Sequence, residues 1–172
     1  MLGSAFETAL ALVGAYGAIA LLCVFVLEGA LVGKLIPTRS LFVATVLAVG
    51  TDLIAFLPLV AAAVVGATLG QVLLFISVRR FDVDPADSRL VPVPSDRVDG
   101  ATDWFDRWGL PAVAVSNALP GTRGWLAVPS AGSSVPASRF AAASLAGSTA
   151  YAGALVVVAV GVEGAAGVLI GV

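Results

Sequence analysis

The apolar positions of this chain come in long uncharged runs broken by isolated charges. Thr8 to Leu27 is twenty residues without a charge, and about twenty are needed to cross a bilayer's hydrocarbon. Leu53 to Val78 is a second run of twenty-six, closed by Arg79-Arg80, and Phe140 to Val162 is a third of twenty-three. Each predicts a transmembrane helix, over 8–33, 53–78 and 139–162. The N-terminus ahead of the first run carries Glu7 and lacks a basic leader region, so the run is read as a retained helix and not a signal peptide.

Between these runs lie apolar stretches too short to span and too greasy for a water-facing loop. Ser40 to Thr51 is one; Trp108 to Thr122 and Gly124 to Ser138, separated only by Arg123, form another interrupted by Pro111, Pro120, Pro129 and Pro136. Each half of the chain thus has a proline-interrupted stretch with an Arg nearby (Leu35-Ile36-Pro37-Thr38-Arg39; Ala118-Leu119-Pro120-Gly121-Thr122-Arg123), followed by a full span. Broken segments in corresponding positions point to a transporter-type binding site. If Arg79-Arg80 face the cytoplasm, the two halves come out inverted. The stretch 79–100 reads as a polar loop. Trp104, Phe105 and Trp108, set among Asp103, Asp106 and Arg107, suit a short interfacial helix over 101–108.

Composition supports a membrane setting. Of 172 residues 59% are hydrophobic and 12% charged, against about 25% charged in soluble domains. The length allows one membrane domain, 1–172. Five Arg and seven Asp crowd between positions 79 and 107, which leaves few charges elsewhere. There is no His, so the commonest metal ligand and general base is missing. No nucleophile motif, P-loop or C-x-x-C is present, and neither an enzyme, a metal, a cofactor nor a nucleic-acid partner is expected. Cys23 lies in an apolar run, where a buried thiol is the default.

A charge at membrane depth costs roughly 2.5–3.5 kcal/mol on insertion scales, so those inside the apolar segments are the candidates for function. Glu28 follows twenty apolar residues and precedes Gly29, Ala30 and Gly33; it reads as a proton or cation site, or as the partner of Arg123. Arg123, flanked by Gly121 and Gly124, could hold a phosphate or carboxylate through paired N–H bonds. Arg39 is a weaker candidate and Lys34 can snorkel. Ala62, Gly66 and Gly70 recur every fourth position, as do Ala143, Gly147 and Tyr151, which predicts close helix packing.

Taken in order, these features resemble the DedA family, also described as SNARE-associated Golgi or VTT-domain proteins, over about Leu22 to Tyr151. Glu28 and Pro37 match the family's first motif, with Thr38-Arg39 where Gly-acidic is usual. Gly66 and Gly70 match a helix motif whose acid is Gln71 here, and Phe105-Asp106-Arg107-Trp108-Gly109 matches an aromatic-basic-aromatic-Gly motif. Pro120 and Arg123 match Arg-x-x-Pro-x-x-Arg, with Asn117 in place of its first Arg; Ala131-Gly132 and Phe140 follow as expected. The resemblance implies an all-α integral membrane protein of about three transmembrane helices and two re-entrant helical hairpins, at 34–52 and 109–135, in an inverted repeat. It places hairpin turns at Pro37, Pro120, Gly121 and Gly124. It further implies a multi-pass plasma-membrane transporter that moves a phosphate-bearing lipid, polyprenyl phosphate or phospholipid, between leaflets. Arg123, Arg39, Asn117 and Gln71 would then contact the anionic headgroup, with Glu28 as counter-charge or proton carrier. Two acids against two arginines are usual in the family; here Glu28, Arg39 and Arg123 leave about +1, which favours an anion over a carboxylate relay. A proton-coupled small-solute transporter and a non-catalytic assembly partner are the competing expectations, and self-association is a further one.

Overall fold

A computed structural model describes residues 16–31, 37–49, 53–81 and 95–170. The start of the first apolar run, Lys34 and its neighbours, and the proline-rich stretch before Ser95 lie outside the described residues. Among those described there are seven helices and no strand: α1 Ala18–Gly29, α2 Thr38–Val49, α3 Leu53–Phe81, α4 Ser95–Trp108, α5 Leu110–Ala118, α6 Ala127–Gly132 and α7 Ala137–Ile170.

Two of these helices are long and apolar enough to cross a membrane, over Phe56–Phe81 and Ala137–Val162. Pro58 is tolerated because it sits early in α3, where few intrahelical bonds are lost. Arg79 and Arg80 close its last turn, a favourable place for cations at a helix C-terminus. α7 starts just after Pro136, whose carbonyl accepts the N–H groups of Arg139 and Phe140. The expected span at 8–33 is described only in part, as the 12 residues of α1.

Several boundaries differ from the sequence reading. The stretch 79–100 is not all loop: α3 continues through Phe81 and α4 begins at Ser95, earlier than Ala101. α4 buries Ala101 and Phe105, one turn apart, and exposes Asp99, Asp103, Asp106 and Arg107, so one apolar edge is enough to hold it. α7 runs past the expected span at 139–162, from Ala137 to Ile170. Cys23 is exposed, not buried, on the outer side of α1.

The packing of these helices has a repeated form. α1 lies along α3 and α5 lies along α7, both at backbone contact. A Cβ at Gly66 or Gly70 would collide with the carbonyls of Leu22 or Val26 on α1, and one at Gly29 with that of Ala67 on α3. A Cβ at Gly147 would meet the carbonyl of Ala114 on α5. The small-residue spacing is therefore a close-packing device, as expected. The shorter helices cross over: α2 packs on α7, and α6 on α3. The contacts pair off, α1 with α3 and α5 with α7, then α2 with α7 and α6 with α3. Pro37 then marks the start of α2, where its carbonyl accepts Leu41 N–H, and the break in the first half begins at the end of α1 instead of at residue 34.

Two apolar cores result. One joins Leu21 and Phe25 to Leu41, Phe42, Leu59 and Ala159; the other joins Phe75 and Phe140 to Phe105, Val113, Trp125 and Leu126. Along α3, Gln71 falls between Ala67 of the first core and Phe75 of the second; along α7, Ser144, Ser148 and Tyr151 fall between Phe140 and Ala159. A belt of buried polar side chains thus crosses both long helices near their middles.

Candidate functional site

The belt is built around the turn from Leu119 to Leu126, which joins α5 to α6. α5 ends because Leu119 turns to extended backbone before Pro120. Gly121 and Gly124 then take φ of 93° and 78°, a region that disfavours a side chain. Ser116 Oγ donates to Thr122 O at 2.6 Å and Thr122 Oγ1 donates back to Ser116 O at 2.8 Å, which closes the turn on itself. Trp125 Nε1 donates to Gly121 O at 2.9 Å. Opposite, the turn that follows α1 holds Leu31 at a φ of 62°, left-handed for a non-glycine residue. That conformation costs roughly 1–2 kcal/mol. It is offset by burial of the side chain, 4% exposed, against Gly124.

This turn carries Arg123 into the interior. Its side chain is 8% exposed, and Nη1 lies 3.4 Å from both Glu28 carboxylate oxygens. Nη2 lies 3.4 Å from Ser148 Oγ. The guanidinium stacks on the Tyr151 ring, 4.2 Å from its centroid. Nε has no hydrogen-bond partner among the described residues. Charge-assisted N–H···O bonds normally close to about 2.7–2.9 Å. A buried cation with five donors is here served by three long contacts and a ring face.

A second polar group lies beside it and is tighter. Asn117 Nδ2 donates to Gln71 Oε1 at 2.7 Å, Ser144 Oγ donates to the same oxygen, and Gly124 N–H donates to Asn117 Oδ1 at 3.2 Å. Gln71, Asn117 and Ser144 are all nearly fully buried. Gln71 and Asn117, which stand where the resemblance expects an acid and an Arg, thus meet as a neutral pair.

The structure therefore brings Glu28 to Arg123 and Gln71 to Asn117. Pro120, Gly121 and Gly124 lie in the turn, whereas Pro37 precedes α2. Arg39 is exposed in the first turn of α2, yet its charge reaches Tyr151, as do those of Arg123 and Glu28. Tyr151 is thus the common neighbour of all three charged candidates. Sequence reasoning had treated it only as part of a packing pattern, and had passed over Ser144 and Ser148. The spacing of Ser144, Ser148 and Tyr151 on one face of an apolar span was the available signal.

Arg79, read from sequence only as an orienting charge, has a structural task as well. Its guanidinium donates to Ala131 O at 3.0 Å, Ser130 O at 3.3 Å and Ser133 O at 2.7 Å. These carbonyls lie at and just beyond the end of α6, where helical partners run out; Ser130 O also accepts the Ser133 N–H and hydroxyl. The same guanidinium lies 4.3 Å over Phe75, which stacks on Phe140 with centroids 4.5 Å apart. α3 thereby holds the end of the short helix that follows the Arg123 turn.

A family model described as the VTT domain matches residues 36–162, well over half of the chain. The chain belongs to the VTT-domain family. VTT-domain proteins are membrane proteins, and the two long apolar helices of this one agree with that setting. The match takes in Arg39, Gln71, Asn117, Arg123 and Tyr151 and begins after Glu28. No curated protein and no solved structure matches this VTT-domain chain.

Proposed function

We propose that this VTT-domain protein is a transporter, not an enzyme, and moves a phosphate-bearing lipid between the leaflets of the plasma membrane. The observation that carries the reading is the Arg123 guanidinium, buried at mid-helix depth with its donors only loosely occupied. Burying a charge is favourable only when it is paired and hydrogen-bonded. The acceptors within reach, Glu28 and Ser148, do this at 3.4 Å. A phosphate oxygen pair fits the planar fork of a guanidinium better than these contacts do. Glu28, Arg39 and Arg123 together leave one positive charge, which a phosphate headgroup neutralises. The helix end at Gly29–Leu31 and the turn at 119–126 fit segments that dip into the bilayer without crossing, because broken backbone at that depth must be enclosed by protein or face a wet cavity.

The test is reconstitution into phosphatidylcholine vesicles carrying a trace of fluorescent phosphatidylglycerol, with dithionite to quench the outer leaflet. Wild-type protein should expose the inner-leaflet pool, and Arg123→Ala at equal incorporation should not. Translocation that survives Arg123→Ala overturns the reading. Uptake of a small solute that follows Glu28 and pH, with no lipid movement, would favour the proton-coupled transporter instead.

A further inference from the structure

We infer that the Tyr151 hydroxyl is a ligand-contacting donor of this site, set to give its proton to the bound anion. The inference rests on the reading of the Arg123 site as an anion site. Tyr151 is 5% exposed, and its buried hydroxyl makes no close hydrogen bond among the described residues; the Arg39 side chain is placed to donate to the oxygen, and the proton has no acceptor. A buried hydroxyl whose proton has no acceptor carries a desolvation cost that a phenylalanine would avoid, so packing alone does not account for a tyrosine here. Its ring already serves Arg123 as a stacking face, and phenylalanine would do that too.

Where the residue sits supplies the reason. Tyr151 lines a crevice with Arg123 and Ser148 on its polar side and Phe25, Phe42 and Leu155 on its apolar side. The crevice is too narrow in this conformation for a water molecule, so a ligand enters it only by displacing the Glu28–Arg123 contact. Cationic charge acts on the phenol from Arg123 on the turn and from Arg39 on α2, against the single carboxylate of Glu28 on α1. With Arg39 placed to donate to the phenol oxygen and Arg123 over the ring face, the phenol proton is left for an acceptor. An anion that replaces Glu28 on Arg123 would meet guanidinium N–H, Ser148 and the phenol together. The apolar wall beside them suits the first carbons of an acyl or prenyl chain. The chemical class is therefore a phosphate ester on an apolar chain, held by a tyrosine hydroxyl from α7 as well as by arginine.

Tyr151→Phe isolates the hydroxyl, since ring, volume and stacking remain. Thermal melts in detergent, with and without dihexanoyl phosphatidylglycerol, measure fold and binding independently of transport. We expect the free variant to melt no lower than wild type, and its affinity for this lipid to fall by about tenfold or more, the weight of one hydrogen bond to a charged group. Dihexanoyl phosphatidylcholine should separate the two proteins less, because its headgroup carries no net charge. Equal affinity of both proteins for the anionic lipid overturns the inference, as does a variant that melts lower, which would show the hydroxyl to be structural. Wild-type binding without translocation would sink the transport reading and leave the role of Tyr151 standing. No anion binding by wild type sinks the inference.

Discussion

Two polar clusters share the middle of this protein, and they are built to opposite standards. The Gln71–Asn117–Ser144 group is neutral, almost fully buried and joined by short bonds, one of which reaches the backbone of the Arg123 turn. The Glu28–Arg123–Ser148 group is charged and joined only at 3.4 Å. A buried network of close neutral bonds fixes geometry even though Gln71 Nε2 has no partner among the described residues; a buried cation with loosely met donors can exchange partners. The contrast separates scaffold from working group within a single turn, because Asn117 grips Gly124 while its neighbour Arg123 is left loosely held.

That contrast can be broken by moving charge into the tight cluster. Gln71→Glu places an unpaired carboxylate where none can be solvated, and should lower unfolding free energy by about 3–5 kcal/mol in denaturant titrations in micelles. Adding Asn117→Arg should restore a good part of it; a double variant no more stable than the sum of its single changes would show that the two positions are not coupled. Next in size, Asn117→Leu leaves the Gly124 N–H unpaired and strips Gln71 Oε1 of its Asn117 donor. A loss of about 2–4 kcal/mol is expected, whereas Arg123→Gln, in the loose cluster, should abolish lipid movement with a smaller change in stability. If the two substitutions destabilise equally, the distinction drawn here fails. The smallest effect belongs to Arg79→Ala. Its three bonds to the end of α6 are partly solvated, so about 1 kcal/mol is expected, seen as faster hydrogen exchange confined to α6 and the turn before it.

Much of this was legible in the residues. Run length gave both long helices, because lipid demands about twenty apolar residues in a row, and the Gly66–Gly70 and Gly147 spacings gave the close contacts. Glu28 and Arg123 stood out because charge is so rare between the runs. Other features were hidden for physical reasons. α4 is longer than its aromatic cluster because a polar helix with one apolar edge gives a weak sequence signal. The break in the first half was placed at Pro37, yet the helix ends earlier, just before a left-handed Leu31 that no residue preference announces. The pairing of Gln71 with Asn117 joins positions far apart in the chain, so each looked like a separate departure until α3 and α5 were seen side by side.

The glycine contacts also decide where this molecule can bend. With Gly29, Gly66 and Gly70 pressing α1 onto α3, and Gly147 pressing α7 onto α5, neither pair can slide without driving one main chain into another. Each behaves as a welded plank. Any opening wide enough for a lipid headgroup must run along the seam between the planks, where α3 packs on α7, α2 on α7 and α6 on α3. The Glu28–Arg123 bridge, which joins α1 to the turn after α5, is a latch across that seam.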